Sequence, residues 1–397
     1  MEVKISGTFT TQSIRLIVRM FCVVILALPA AAFSGTLPWP FRVPFFVAAR
    51  AGDFQNYADV PYFHGGTDIG VHAGAEVFTP VSGTVDISTY YIDASRTPLK
   101  FNYLRTPFRG ETKEKHAATW SKMRSSSGDR YVEIAITTAN GLRWMFRHID
   151  AATIPQRVID LDGKGIRINA GDKIGEIIPW SESVYPEKRR YDHLHLEITD
   201  ADGWYVNPET QMTSLPDTHP PDIKGIWFVP NEAETAFMPK NGSSMSDPPV
   251  VSGDIDIVAE IDDTIDGSRY LSTPFLIQAS ISRITATGPE SIAPLIDIFR
   301  FDKLPIKGDR TQLVTTVYKE HLRIGKTEAG SQGNSHMRVF YFILTNGDVL
   351  HGYNSERCIR TTGMADGRYI VNVFATDTAG NRSGTSQEFI IRNMPGK

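Results

Sequence analysis

In the segment DHLHLEI, strand alternation sends His193, His195 and Glu197 to one face and Leu194, Leu196 and Ile198 to the other. Two imidazoles on one side of a strand, backed by a clean apolar face, are costly unless they bind something or stay solvated. Metal binding is the simplest explanation. A second piece lies upstream in FHGGTDIG, where His64 precedes Asp68 by four residues, with two glycines in a loop that enters a short strand. Catalytic zinc takes His nitrogen and carboxylate oxygen, uses three protein ligands and leaves a position open to water. His64, Asp68 and one of the two strand histidines supply that number. A third piece is His148, which closes LRWMFRH and shares a face with Trp144 and Phe146 by period 2. Alone it reads as a core or surface histidine. Beside a metal, amide hydrolysis also needs a group to take the water proton, one to hold the oxyanion and one to protonate the leaving amine. Two histidines that are not ligands can share those tasks.

The elements that must position these residues are strands. Residues 41–207 form short β-rich runs with turn punctuation, and AEVFTPVSGTVDIS, RYVEIAITTANGLRWMFRHI and HLHLEITDADGWYV read as hairpins, the last two turning at Asn140-Gly141 and Asp202-Gly203. Between residues 90 and 130 the strand pattern lapses into a basic stretch that reads as an inserted loop. The proline-rich SLPDTHPPDI, residues 214–223, reads as a linker. Beyond it, DIDIVAEI, PFLIQASI, LIDIFRF, RVFYFILTN, RYIVNVFATD and QEFIIRN alternate as strands of an immunoglobulin-like β-sandwich over residues 224–397. His219 in the joint and His321, His336 and His351 beyond it are scattered without mutual spacing and read as surface residues, as do His72 and His116. Glu197 is as well placed to join a strand-edge salt bridge as to orient a ligand histidine, so neither it nor Asp192 is assigned to the site.

Several ordered segments resemble the lysostaphin- and LytM-type zinc metallopeptidases: HGGTDIG, GAEVFTPVSGTV, FRHID, INAGDKIGEI, DHLHLEI and NPET. The resemblance covers about residues 41–210. It implies a small antiparallel β domain with a groove, one Zn2+ per chain held by His64, Asp68 and His195, and His148 and His193 as the catalytic pair. It also implies cleavage of peptide bonds in the stem peptides or cross-links of peptidoglycan. The peptidase domain is then residues 33–213, with the basic insertion at about 90–130. The sequence departs from the family in IIPWSESVYPEKRRYD, which replaces a glycine-rich turn before the His-x-His strand, and in the length of the basic insertion. Both are expected to border the groove. HExxH and GxSxG are absent.

The chain has 397 residues, 22% charged and 41% apolar, which is ordinary globular composition and enough for more than one domain. With 41 Lys plus Arg against 45 Asp plus Glu there is no global basic field, so nucleic acid is not an expected partner. Lys4, Arg15 and Arg19 precede the apolar MFCVVILALPAAA, residues 20–32, which ends in small residues and is shorter than the roughly 20 residues of a bilayer span. Residues 1–32 therefore read as a cleaved export signal, with no permanent membrane span. Cys22 leaves with it, so Cys358 has no internal disulfide partner. No wall-sorting tail or lysine-rich wall-binding repeat is seen, which favours the periplasm or cell envelope over the cell exterior. The alternative function is a catalytically silent peptidoglycan-binding envelope protein that activates a separate amidase. The C-terminal domain is expected to contact wall or another envelope protein.

Overall fold

Alternating apolar residues between Gly- and Asx-rich turns build a mainly β chain, as the composition and patterning predict. The computed structural model describes residues 35–57, 60–92, 103–107, 130–179, 191–238, 247–333 and 337–393. Among them, α-helix is limited to the single turns Gln156–Ile159 and Val314–Val317. No described helix is long and apolar enough to cross a membrane. Residues 1–34, which include the segment 1–32 read as an export signal, lie outside the described residues.

The principal sheet has ten strands. Its path runs through Phe46–Ala49, Gly66–Gly70, His193–Thr199, Arg143–Ile149, Arg130–Thr137, Gly83–Ile92 and Arg167–Ile168, each antiparallel to the next. This order places the two histidine-bearing motifs on adjacent central strands. Behind them, Leu194, Leu196 and Ile198 pack with Ile69, Ile134, Trp144 and Phe146 in one apolar core. Such a core fixes register, because a one-residue slip would exchange every core side chain for a polar one.

The hairpins at Asn140-Gly141 and Asp202-Gly203 are present. The hairpin expected in AEVFTPVSGTVDIS is not. Glu76–Phe78 pairs with Lys173–Glu176 in a separate two-stranded sheet, whereas Gly83–Ile92 pairs with Arg130–Thr137. The turn residues between them carry the chain from one sheet to another. The loop expected across residues 90–130 also contains a strand, Tyr103–Pro107, antiparallel to Gly83–Ile92. Residues 93–102 and 108–129, including His116, lie outside the described residues.

In the C-terminal half, a four-stranded sheet built on Asp222–Pro230 and Asp254–Asp262 faces a five-stranded sheet built on Leu276–Thr285, Gly288–Arg300, Gly367–Thr376 and Arg382–Ile391. Their shared core contains Phe228, Ile257, Ile277, Tyr369 and Phe389. It also contains residues from the N-terminal half. Phe54 and Phe63, from the hairpin Phe54–Tyr57 and Val60–Phe63, place their rings 5.5 and 5.9 Å from Tyr318. The strand Lys303–Lys307 extends the principal sheet by pairing with Trp204–Val206. The described residues fall within one compact unit, Ala32–Lys397. The proline-rich joint is itself tied down, since Thr218 bonds the Asp266 carboxylate and the Asp217 carbonyl accepts from Asn381.

Candidate metal centre

Register explains why the motifs converge. His195 lies directly opposite Asp68, and His193 opposite Gly70, in the antiparallel ladder. Side chains directly opposite one another share a face. His64 stands just before the Gly66–Gly70 strand, with its backbone held on both sides: its N–H donates to the Asp53 carbonyl, and its carbonyl accepts from Gly52.

His64 Nε2 lies 3.1 Å from Asp68 Oδ1 and 3.1 Å from His195 Nδ1, and His195 Nδ1 lies 2.8 Å from Asp68 Oδ1. All three residues are buried, and one ligand atom from each falls within 4.8 Å of the others. Their outer atoms are committed elsewhere. His64 Nδ1 is 3.0 Å from the Arg50 carbonyl, which can only accept, so Nδ1 carries the proton and Nε2 turns a lone pair inward. His195 Nε2 faces Glu197 Oε2 at 3.4 Å. The result is two imidazole nitrogens and a carboxylate oxygen converging with their lone pairs, a crowding that a cation relieves. This N2O donor set, with each histidine braced by an acceptor behind it, fits zinc.

His148 and His193 lie beside the three. Their rings are 4.5 Å apart at 61°, and His193 Nε2 is 3.6 Å from Asp68 Oδ1. The structure therefore brings His64, Asp68, His195, His193 and His148 together in one buried cluster. His148 arrives there in an unexpected way. Period 2 puts it on the face of Trp144 and Phe146, and those two are in the core. An extra residue between Phe146 and Ile149, relative to the partner strand, makes a bulge. Within that bulge His148 takes φ 69°, a left-handed conformation uncommon for a non-glycine residue. The bulge turns the imidazole off the core face and onto the site. Such backbone strain recurs at functional positions.

Electrostatics follow from burial and neighbours. Burial pushes the His148 imidazole well below its ordinary value, and His193 and His195 add to the effect. Burial also lowers His193, against the opposing pull of Asp68 and of the Tyr191 carbonyl. Burial alone would raise Asp68, but His64, His193 and hydrogen bonds from His195 and His64 hold its carboxyl well below the usual range.

Several site residues carry no motif signal. Tyr191 donates its hydroxyl to Asp68 Oδ2 at 3.2 Å, accepts His193 Nδ1–H on its carbonyl at 2.7 Å and lays its ring 4.3 Å from the His193 ring. That carbonyl fixes His193 as the tautomer with its Nε2 lone pair toward the site. Glu197, which the strand pattern alone does not assign to the site, both faces His195 and accepts two hydrogen bonds from Arg147, at 2.8 and 3.1 Å. Arg147 also bonds Glu133 at 2.8 Å. Arg310 and Arg338 reach in from the C-terminal half: Arg310 is 3.9 Å from Glu197, and Arg338 is 3.7 Å from Asp53. His72 is exposed, with Nδ1 3.0 Å from the Ala73 carbonyl, and His219, His321 and His351 are exposed too. His336 lies outside the described residues, as do residues 180–190 of the departure before the His-x-His strand.

The two site strands leave no room between them at Gly66. A Cβ there would sit 2.1 Å from the Leu196 carbonyl oxygen and 3.0 Å from Glu197 Cα, both backbone atoms that cannot swing aside. Gly66→Ala is therefore expected to part the strands that carry Asp68 and His195. The cost should reach the upper end of the about 1–3 kcal/mol of overpacking, with weakened affinity for a metal ion in the cluster alongside. Urea unfolding and a competitive zinc titration check both; an unchanged affinity would show that ladder register does not set the ligand geometry.

Compared with known proteins, the chain matches no family model and no curated protein.

Proposed function

We propose that the chain is a zinc metalloendopeptidase that hydrolyses peptide bonds in peptidoglycan stem peptides or cross-links, acting in the periplasm or cell envelope. The observation that carries this reading is the convergence of His64 Nε2, Asp68 Oδ1 and His195 Nδ1 beside the paired rings of His148 and His193. Zinc, when bound, supplies Lewis acidity toward the scissile carbonyl and acidifies water to a pKa of about 7. His193 takes the water proton at Nε2, because its Nδ1–H is held by the Tyr191 carbonyl, and returns it to the leaving amine. His148, neutral under burial and facing His193 across the cluster, steadies the developing oxyanion. The substrate class rests on the ordered segments that resemble wall peptidases. Contact with wall or another envelope component falls to the C-terminal sheets, to which no chemistry is assigned.

The test uses soluble, cross-linked stem-peptide dimers. The zinc-loaded chain is expected to release one new amino terminus per bond cut, to stop when phenanthroline is added and to resume when zinc is restored. Tight binding of the same dimers without release would overturn hydrolysis and favour the silent reading, in which the protein holds wall peptide and activates a separate amidase.

A further inference from the structure

A second set of potential ligands lies where the proline-rich joint meets the C-terminal sheets. Asp217 of the joint, Asp263 after the Asp254–Asp262 strand and Asp377 after the Gly367–Thr376 strand each offer a carboxylate oxygen within 4.8 Å of the others. Asp263 and Asp377 are buried, and Asp217 is half-buried. Glu209 adds a fourth buried carboxylate. The cation that pairs with this group is Arg50, which bonds Asp263 and lies 3.2 Å from Glu209. Four acids against one guanidinium is a large uncompensated charge for a buried place.

An independent observation points to a ligand. The Asp263 side chain has no exposed surface, and while Oδ2 is taken by Arg50, Oδ1 has no hydrogen-bond partner. Asp217 Oδ2 is likewise buried without a hydrogen bond of normal geometry. Burial pushes the Asp263 carboxyl up to about 7, with Asp377 and Asp217 adding repulsion against the pull of Arg50. Nε and Nη2 of Arg50 are also without a hydrogen-bond partner and can answer one of these oxygens; the rest of the cluster is relieved by a shared proton or a bound cation. A cleft lined by Trp39, Arg50, Glu209, Asp217, Ile265 and Thr378 lies on the Asp217 side of the cluster. Oxygen-only donors disfavour zinc and copper, and irregular carboxylate sets suit calcium at 2.3–2.6 Å better than magnesium, which needs near-ideal octahedral geometry.

We infer that Asp217, Asp263 and Asp377 form a structural calcium site that clamps the joint onto the C-terminal sheets. The ion takes the orphaned Asp263 oxygen and the remaining lone pairs of Asp217 and Asp377, and water completes its shell. Asn381 already orients Asp377, through bonds of 2.8 Å to each of its oxygens. The site also reaches the zinc ligands mechanically, since Arg50 bonds Asp263 with its guanidinium and receives His64 Nδ1–H on its carbonyl.

The test reads binding and stability rather than cleavage, so its outcome is separate from that of the peptidase reading. The full chain, dialysed against EGTA and reloaded with zinc, is titrated with calcium chloride by calorimetry and thermal unfolding. Terbium is the second probe, because Trp39 in the cleft can sensitise its emission. The expected result is one calcium per chain and a Tm rise of about 5 °C at about a hundred times the dissociation constant. Terbium emission should appear and be displaced by calcium, and each response should vanish in Asp217→Asn and Asp377→Asn but persist in the exposed-site control Asp348→Asn. Asp217 is the less buried of the two, so its variant serves if Asp377→Asn fails to fold. No calcium response and no terbium emission in the parent would overturn the site in favour of a shared proton. An undiminished response in Asp217→Asn, or a response to magnesium alone, would overturn it as well.

Discussion

His195→Ala is expected to lose bound zinc, whereas His193→Ala keeps zinc and loses turnover by about 10²–10⁴-fold, the usual contribution of a positioned proton acceptor. The two histidines sit two residues apart on one strand and are nearly equally buried, so exposure does not separate them. Distance and tautomer do. His195 Nδ1 is 2.8 Å from Asp68 Oδ1 and 3.1 Å from His64 Nε2, while His193 Nε2 is 3.6 Å from Asp68 and its other nitrogen is spent on the Tyr191 carbonyl. Glu197→Gln, which removes the negative charge behind His195, should weaken zinc by about 10–100-fold without abolishing it. Zinc content after dialysis and turnover at saturating zinc measure the pair. Retained zinc in His195→Ala together with lost zinc in His193→Ala would exchange the two roles.

The largest effect on stability is expected at Arg147. Its side chain is 14% exposed and bridges Glu133 and Glu197, whose side chains are 0% and 4% exposed. Arg147→Met would leave both carboxylates buried without that cation, and breaking a buried pair from one side costs about 3–5 kcal/mol. The comparison is Arg143→Met, whose pair with Asp86 is far more exposed and is worth about 0–1 kcal/mol. Neutralising all three residues should recover most of the loss, because the penalty comes from the stranded charges. The pH dependence has a definite sign. Arg147, opposing burial, holds the Glu197 carboxyl well below its ordinary value of 4.5. Its folded-state pKa is therefore below the unfolded one, so the stabilisation is complete above about pH 4.5 and is lost as the pH falls through the lower folded-state value. Arg147→Met should flatten that acid limb. Urea unfolding across pH 3 to 8 reads both effects, and a variant as stable as the parent would show that the triad is not needed to hold the strands together.

The parts of this site that could be read from the amino-acid sequence are those governed by local periodicity. Period 2 in DHLHLEI separates the polar face from the leucines because one face is needed for the core, and Leu194, Leu196 and Ile198 are all in it. HGGTDIG was legible for a similar reason, since a short strand follows its loop. His148 shows the limit of that rule: alternation put it with Trp144 and Phe146, and a bulge visible only in the partner strand reversed it. Turn residues announced the hairpins at Asn140-Gly141 and Asp202-Gly203, but in AEVFTPVSGTVDIS they marked a passage between sheets. A turn signal does not say which strand becomes the partner. Tyr191, Arg50, Arg310 and Arg338 were beyond reach because their partners lie elsewhere in the chain; Arg50, for example, meets Asp263 across 213 positions. The proline-rich joint read as a linker from composition, yet Phe54, Phe63 and Tyr205 on one side of it share a core with the sheets on the other.

The most direct test of the peptidase reading is the release of new amino termini from purified sacculi by the zinc-loaded chain from Phe33 onward, with His193→Ala run alongside at equal zinc content. The expected result is steady release by the parent, fragment masses that correspond to cleavage within stem peptides or cross-links, and no release above background by the variant. Equal release from both would contradict the assignment of His193, and no release from either, with zinc bound, would contradict the assignment of the chain as a wall peptidase.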